Sequence, residues 1–148
     1  MRKPFAQSAI QANAVDRLRL WVLTDNYYDA LRPDGPFTTR YRATPGRSIH
    51  AEHGVSYFLE TLVDGRIHTC MFDFGLDPAG LLKNVALLGL DVRKTNAFAL
   101  SHGHFDHYMG ATSILEYHQS PASRGTPFFV GEEAFSQRYW AGPPLHRV

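Results

Sequence analysis

The residues best equipped for chemistry are His102, His104, Asp106 and His107, three imidazoles and a carboxylate within positions 102–107. In an extended segment His102 and His104 project to the same side, so both can reach one ion at the ~2.0–2.1 Å of a nitrogen ligand. Asp106 and His107, neighbours after a bend, can address a second ion at the roughly 3.5–4 Å separation used by two-metal hydrolytic sites. Such a set suits zinc best, and iron or manganese would also fit. The alternative is a histidine-rich surface loop without a metal, since eight histidines in the chain make chance pairs ordinary. Four ligand-type side chains at this spacing behind an apolar strand are more specific than a lone pair.

The elements that must position these residues are legible around them. The apolar run 96–100 reads as a buried strand, which puts the motif in the loop at its carboxyl end. Upstream, Leu18, Leu20 and Val22 alternate with Arg17, Arg19 and Trp21, the two-residue period of a strand with one buried face, over 17–25. Residues 26–54 carry prolines, glycines and four arginines without a period and read as one long loop, a lid, a binding loop or a disordered segment. Its density of Tyr and Phe argues for packing. Residues 55–63 and 66–73 flank Asp64-Gly65, a hairpin signal. Asp77-Pro78 opens a helix whose Leu81, Leu82, Val85 and Leu88 share a face before Gly89 ends it. A helix over 110–118, a loop over 121–127, a short strand at 128–130 and a helix over 132–140 complete the expectations, with 1–14 an irregular lead-in.

Composition narrows the classes. With 148 residues, 44% hydrophobic and 13% aromatic, the chain suits one domain over 1–148. Fifteen basic against fourteen acidic side chains, with no long basic block, offer nucleic acid no electrostatic case. No transmembrane stretch is present, and polar residues interrupt every apolar run near the N-terminus before a signal-peptide core could form. Cys70, the single cysteine, cannot form an intrachain disulfide; this fits a cytoplasmic location.

The pattern His102-x-His104-x-Asp106-His107 resembles the signature of the metallo-β-lactamase-fold hydrolase superfamily, and Phe72-Asp73-Phe74-Gly75 resembles its Asp-x-Gly turn. The wording at 23–26, at Glu52-His53-Gly54, at 81–91 and at 100–107 is similar to one branch, the dihydropterin-(ribofuranosyl)aminobenzene phosphate synthase-like proteins. The resemblance implies an α/β (α+β) fold, the N-terminal half of an αββα sandwich with a mixed sheet and flanking helices. It implies a metal-bound hydroxide attacking an ester, amide, thioester or phosphoester of a small-molecule substrate. His102 and His104 would hold one divalent ion, and Asp106 and His107 the other. Asp106 would also orient the nucleophile and handle its proton, and Asp73 would keep a ligand histidine in its tautomer; capping the turn is Asp73's simpler role. Asp25 and His53, near strand ends on the motif side, are further candidates for substrate or metal contact, with plain loop hydrogen bonding as His53's alternative. His50 and His68 have weaker claims.

The chain departs from the pattern in two ways. Tyr108-Met109-Gly110 stands where small residues are usual, and the ligands of the fold's second half do not follow. His118 is expected on a helix surface, and His146 precedes the usual position of the next ligand. Half a sandwich would expose a sheet face, and large apolar patches mark interfaces. A C-terminal half-domain, separately encoded or cleaved, or a second copy of the chain is therefore the expected partner. A non-catalytic metal-binding or interaction module is one rival reading. A di-iron oxidoreductase of the same fold is another, although such sites normally replace one motif histidine with a carboxylate.

Overall fold

The computed structural model describes residues 13–118, 125–137, 139–140 and 146–147. Residues 1–12 of the expected lead-in, 121–124 of the expected loop and 138 of the last expected helix lie outside the described residues. A mixed five-stranded sheet runs in the order β1 (Arg17–Thr24), β2 (Ser56–Val63), β3 (Arg66–Phe72), β4 (Ala97–Leu100), β5 (Phe128–Val130). The first three strands are antiparallel neighbours, and β4 and β5 add in parallel. Helices α1 (Pro78–Leu87), α2 (Phe105–Tyr108) and α3 (Ala111–His118) join them, giving an α+β fold.

Local chemistry explains most boundaries. Asp64 and Gly65 both take positive φ, 48° and 74°, as a two-residue hairpin turn requires. The Asp77 side chain accepts the Ala79 N–H at 3.0 Å, and Pro78 occupies the first helical position. At the other end of α1, Leu90 N–H donates to Val85 O and Gly89 N–H to Ala86 O, a Schellman ending with Gly89 at φ 68°. Leu81 and Val85 of α1 and Ile114 of α3 pack with Leu23, Phe58, Met71 and Phe98 of the sheet, all buried. Each contributes roughly 1.5–3 kcal/mol of burial. Phe74 joins them, stacked on Phe128 at 5.6 Å.

The helices lie on one side of the sheet, and this reverses the reading of β1. Leu18, Leu20 and Val22 are 54%, 52% and 47% exposed, whereas Leu23 is fully buried. A bulge between Val22 and Thr24 turns Leu23 and Thr24 inward, and Trp21 on the same side packs edge-on against Phe58 at 5.9 Å. Register carries the Leu18-Leu20-Val22 face across to Phe72 and Phe129, which are also exposed. The alternation does mark a strand, but its aliphatic face looks away from the helices because aromatic and bulged positions supply the core.

Two further expectations are corrected. The helix over 132–140 does not form: 132–135 are turns, and Tyr139–Trp140 pairs as a strand (β6) with His146–Arg147 (β7). The turn is held by Ala134 N–H to Gly131 O and Ser136 N–H to Glu133 O, and its Ala134 carbonyl packs against Gly103. His118 is buried, with Nδ1 3.2 Å from Val92 O and its ring edge-on to Phe98 at 4.9 Å. Its apolar ring fills core volume while a backbone carbonyl satisfies its polar edge.

Candidate metal centre

The motif begins where β4 ends. Asp73, 1% exposed and at φ 57°, stands in the neighbouring turn after β3. Its Oδ1 accepts the Ser101 N–H at 2.7 Å, its Oδ2 accepts the Ser101 hydroxyl at 2.8 Å, and Oδ2 lies 2.7 Å from His107 Nδ1. A carboxylate only accepts, so the proton sits on His107 Nδ1 and the Nε2 lone pair faces outward, 3.5 Å from Asp106 Oδ2. The Ser101 hydroxyl, having donated to Asp73, accepts from His102 Nδ1 at 2.9 Å. The His102 Nε2 lone pair then meets His104 Nδ1 at 2.9 Å. One buried carboxylate therefore sets the tautomer of both His102 and His107, directing the Nε2 atoms outward as metal ligands require.

The His102 ring lies against both His104 and His107, with centroids 4.4 and 4.2 Å apart, and Asp106 sits beside His107, so the four motif residues form one cluster of imidazole and carboxylate donors whose chemistry suits divalent metal ions. An ion taken by His102 Nε2 would replace its hydrogen bond with His104. The backbone is held as closely as the side chains. Asp106 O accepts from Val55 N–H at 3.3 Å and His107 O from Phe74 N–H at 2.7 Å. Asp106 and His107 lie on the short helix α2, one turn that the sequence had suggested only as a bend. A Cβ at Gly103 would overlap the Ala134 carbonyl, and one at Gly110 the Phe74 carbonyl. Only glycine permits those approaches.

His53 lies beside this loop, whereas Asp25 contacts the segment that precedes His53. Asp25 O accepts the Glu52 N–H at 3.1 Å, and its carboxylate accepts the Asn26 N–H at 2.7 Å. His53 is 76% exposed in its side chain, with Nε2 3.7 Å from Asp106 Oδ2. His68 is exposed on β3. Of the loop arginines, Arg42 binds Asp34 Oδ1 at 2.7 Å and the Arg32 carbonyl at 2.8 Å, and Arg40 Nε donates to Pro33 O. These two guanidinium groups are engaged in holding the loop itself.

A second group has ligand chemistry. His50, Glu52 and Asp77 bring ligand atoms within 4.8 Å of one another, an arrangement that could hold an ion. Both Glu52 oxygens already accept N–H groups, Leu76 and Asp77, each at 2.8 Å, and Asp77 caps α1. The helix terminus supplies positive potential there, so the carboxylates are satisfied without a cation. The sequence marks Asp77 as a helix cap but gives no role to Glu52, Ser101 or Asn84. Asn84 is buried, donates to the Leu23 and His50 carbonyls at 2.7 Å each, and accepts from His50 N–H at 2.8 Å. The signal for it was an amide on the apolar face that carries Leu81 and Leu88. A groove of about 530 Å³ opens elsewhere, between Trp21, Ile67 and Leu90, and no motif residue lines it.

No family model matches the chain. A curated relative, the 7,8-dihydropterin-6-methyl-4-(β-D-ribofuranosyl)-aminobenzene-5′-phosphate synthase of Methanocaldococcus jannaschii, is 26% identical over 129 residues, 87% of this chain and 37% of the relative. Among solved structures, Rm3 metallo-β-lactamase aligns with 43% of this chain and 27% of its own, at 21% identity and a TM-score of 0.32. The chain is thus similar to an enzyme of the branch its motifs resemble, and it spans little more than a third of that relative's length.

Proposed function

We propose that this chain is the N-terminal part of a dinuclear metal-dependent hydrolase, or hydrolase-like transferase, acting on an ester, phosphoester, amide or thioester. The observation that carries the reading is the Asp73 carboxylate, which orients His107 directly and His102 through Ser101. A histidine-rich surface loop has no need of a buried anion behind it. Bound divalent ions, zinc first among them, would lower the pKa of a water to ~7 and so supply a nucleophile at neutral pH. His102 and His104 would hold one ion and Asp106 and His107 the other, and the Asp106 carboxylate would also be placed to orient a water and accept its proton. The relative's name joins a dihydropterin to a ribofuranosyl-aminobenzene phosphate. It makes a phosphate-bearing small molecule the first substrate class to try.

Two protein ligands per ion fall short of the three that catalytic zinc sites usually hold. The open Leu18-Leu20-Val22-Phe72-Phe129 face supports the corresponding proposal of a partner, a C-terminal half-domain or a second copy laid against the sheet. The same open face also supports a second reading, a metal-binding module that works by association without chemistry. Among the described residues no helix is long and apolar enough to cross a membrane, and with Cys70 as a free thiol the cytoplasm is the location we propose.

Metal analysis of the purified chain, alone and with a C-terminal half, tests both readings. The enzyme reading expects two ions per completed site, esterase or phosphodiesterase turnover, and loss of the first ion in His104→Ala with the fold retained. Less than one ion per chain, with no turnover restored by the added half, would remove it. Metal retained without turnover would leave the module.

A further inference from the structure

The backbone that carries His53 is held far more firmly than the exposure of its ring suggests. It forms a strap, residues 50–55, fastened along its length. Asn84 bonds the His50 N–H and carbonyl, Glu52 N–H donates to Asp25 O, and the Glu52 carboxylate grips the Leu76 and Asp77 N–H groups. Beyond His53, Val55 N–H donates to Asp106 O, and Gly75 N–H donates to Val55 O at 3.0 Å. Gly54 is buried so closely that a Cβ there would lie 2.8 Å from the Asp106 carbonyl oxygen. This strap brings the His53 ring beside Asp106.

The ring's own contacts say what it is ready to do. Nδ1 lies 3.1 Å from Asn26 Oδ1, an acceptor, so the neutral ring carries its proton on Nδ1. The Nε2 lone pair then faces Asp106 Oδ2 at 3.7 Å. Two lone pairs directed at each other attract nothing between themselves, and they lie at the roughly 3–4 Å that separates two ligands of one ion with bonds near 2.0–2.2 Å. His107 Nε2 lies 3.5 Å from that oxygen on its own side; the two imidazole nitrogens are more than 4.8 Å from each other, so the three ligand atoms converge on one ion only when the exposed His53 ring turns toward it.

We propose that His53 is the third protein ligand of the ion held by Asp106 and His107, and that Asn26 is the positioning residue that fixes its Nδ1–H tautomer. The inference rests on the reading of residues 102–107 as a metal site. It supplies that ion with three ligands from within this chain, the number usual for an open catalytic zinc site. Asn26 does for His53 what Asp73 does for His107. Because the His53 ring is largely exposed, it can swing inward when the ion enters without disturbing the core.

The test is titration of the full chain with Co²⁺, read by ligand-field absorbance and by competition with a chromophoric chelator. Variants are His53→Ala, Asn26→Leu, Asn26→Asp and His107→Ala, with thermal unfolding as the check that each folds. His53→Ala is expected to weaken one of the two ions by more than the ~10–100-fold typical of losing a ligand's supporting hydrogen bond, and to change its absorbance. Asn26→Leu should cost within that ~10–100-fold range, and Asn26→Asp, which keeps an acceptor for Nδ1–H, should recover most of it. A His53→Ala protein with unaltered affinity and spectrum, alongside a His107→Ala protein that has lost the ion, overturns the ligand role of His53 and leaves the motif reading standing. Wild-type protein that takes up no Co²⁺, or a His107→Ala variant that binds as wild type does, overturns the motif reading, and the role of His53 with it.

Discussion

Asp73→Asn separates orientation from architecture at the candidate centre. Asparagine is among the side chains that best tolerate the left-handed conformation Asp73 adopts at φ 57°. Its carbonyl oxygen can keep the bond from the Ser101 N–H, now 2.7 Å long. Its NH₂ group then replaces the oxygen that faces His107 Nδ1 at 2.7 Å. A donor in that place forces Nδ1 to become an acceptor and moves the imidazole proton to Nε2, the atom directed at Asp106. The lost charged hydrogen bonds should lower stability by about 1.5–3 kcal/mol. Metal affinity at the Asp106–His107 pair should fall ~10–100-fold, the usual effect of removing a histidine's orienting partner. Asp73→Ala, by contrast, leaves the Ser101 N–H without its partner and puts an ordinary side chain at positive φ. It should cost roughly 3–6 kcal/mol, a large part of a typical ~5–15 kcal/mol domain stability. Guanidinium unfolding gives the stabilities, chelator competition the affinities, and imidazole ¹⁵N shifts the tautomer of His107. A folded Asp73→Asn protein with His107 still protonated on Nδ1 and metal affinity unchanged would refute the assignment of Asp73 as the group that sets the tautomer.

Three more outcomes follow from the same geometry. Gly103→Ala must push away the Ala134 carbonyl, so proteolysis within residues 131–136 should accelerate in the variant; an unchanged cleavage rate would show that this turn does not brace the motif. Glu52→Gln turns one of two oxygens that accept N–H groups at 2.8 Å into a donor, and the unfolding free energy should drop by about 1–3 kcal/mol. No drop would mean that the strap is held elsewhere. Burial pushes the Cys70 thiol above its ordinary value. Its thiolate should therefore appear only at more alkaline pH than a free cysteine's ~8.5. Iodoacetamide labelling against pH reads this directly, and a midpoint at or below that of free cysteine would contradict it.

Much of the fold could be read from the chain because its signals are local. The hairpin follows from two adjacent residues able to take positive φ, and α1 from a cap, a proline, a 3.6-residue apolar period and a terminal glycine. The α+β class follows from the order of such elements, and the motif declares its ligand chemistry within six positions. What was misread depended on partners distant in sequence. Periodicity can show that β1 has two faces, but only the placement of α1 and α3 decides that Trp21 and Leu23 are inside while Leu18, Leu20 and Val22 are outside. Nothing near His118 announces that Val92 and Phe98 enclose it. The missing helix over 132–140 had acceptable propensity, and it gave way to a turn whose carbonyl fits against Gly103 and to pairing with residues 146–147.

The candidate centre divides in the same way. Residue type alone makes His102, His104, Asp106 and His107 candidate metal ligands, since imidazole and carboxylate are ligand groups wherever they stand. Which nitrogen each ring presents was decided by tertiary structure, because a tautomer is set by whichever group faces the other nitrogen. For His107 that group is Asp73, 34 residues away, and for His53 it is Asn26, 27 residues away. Such pairings exist only once the hairpin, the strap and β4 have come together, so no local pattern in the chain could carry them.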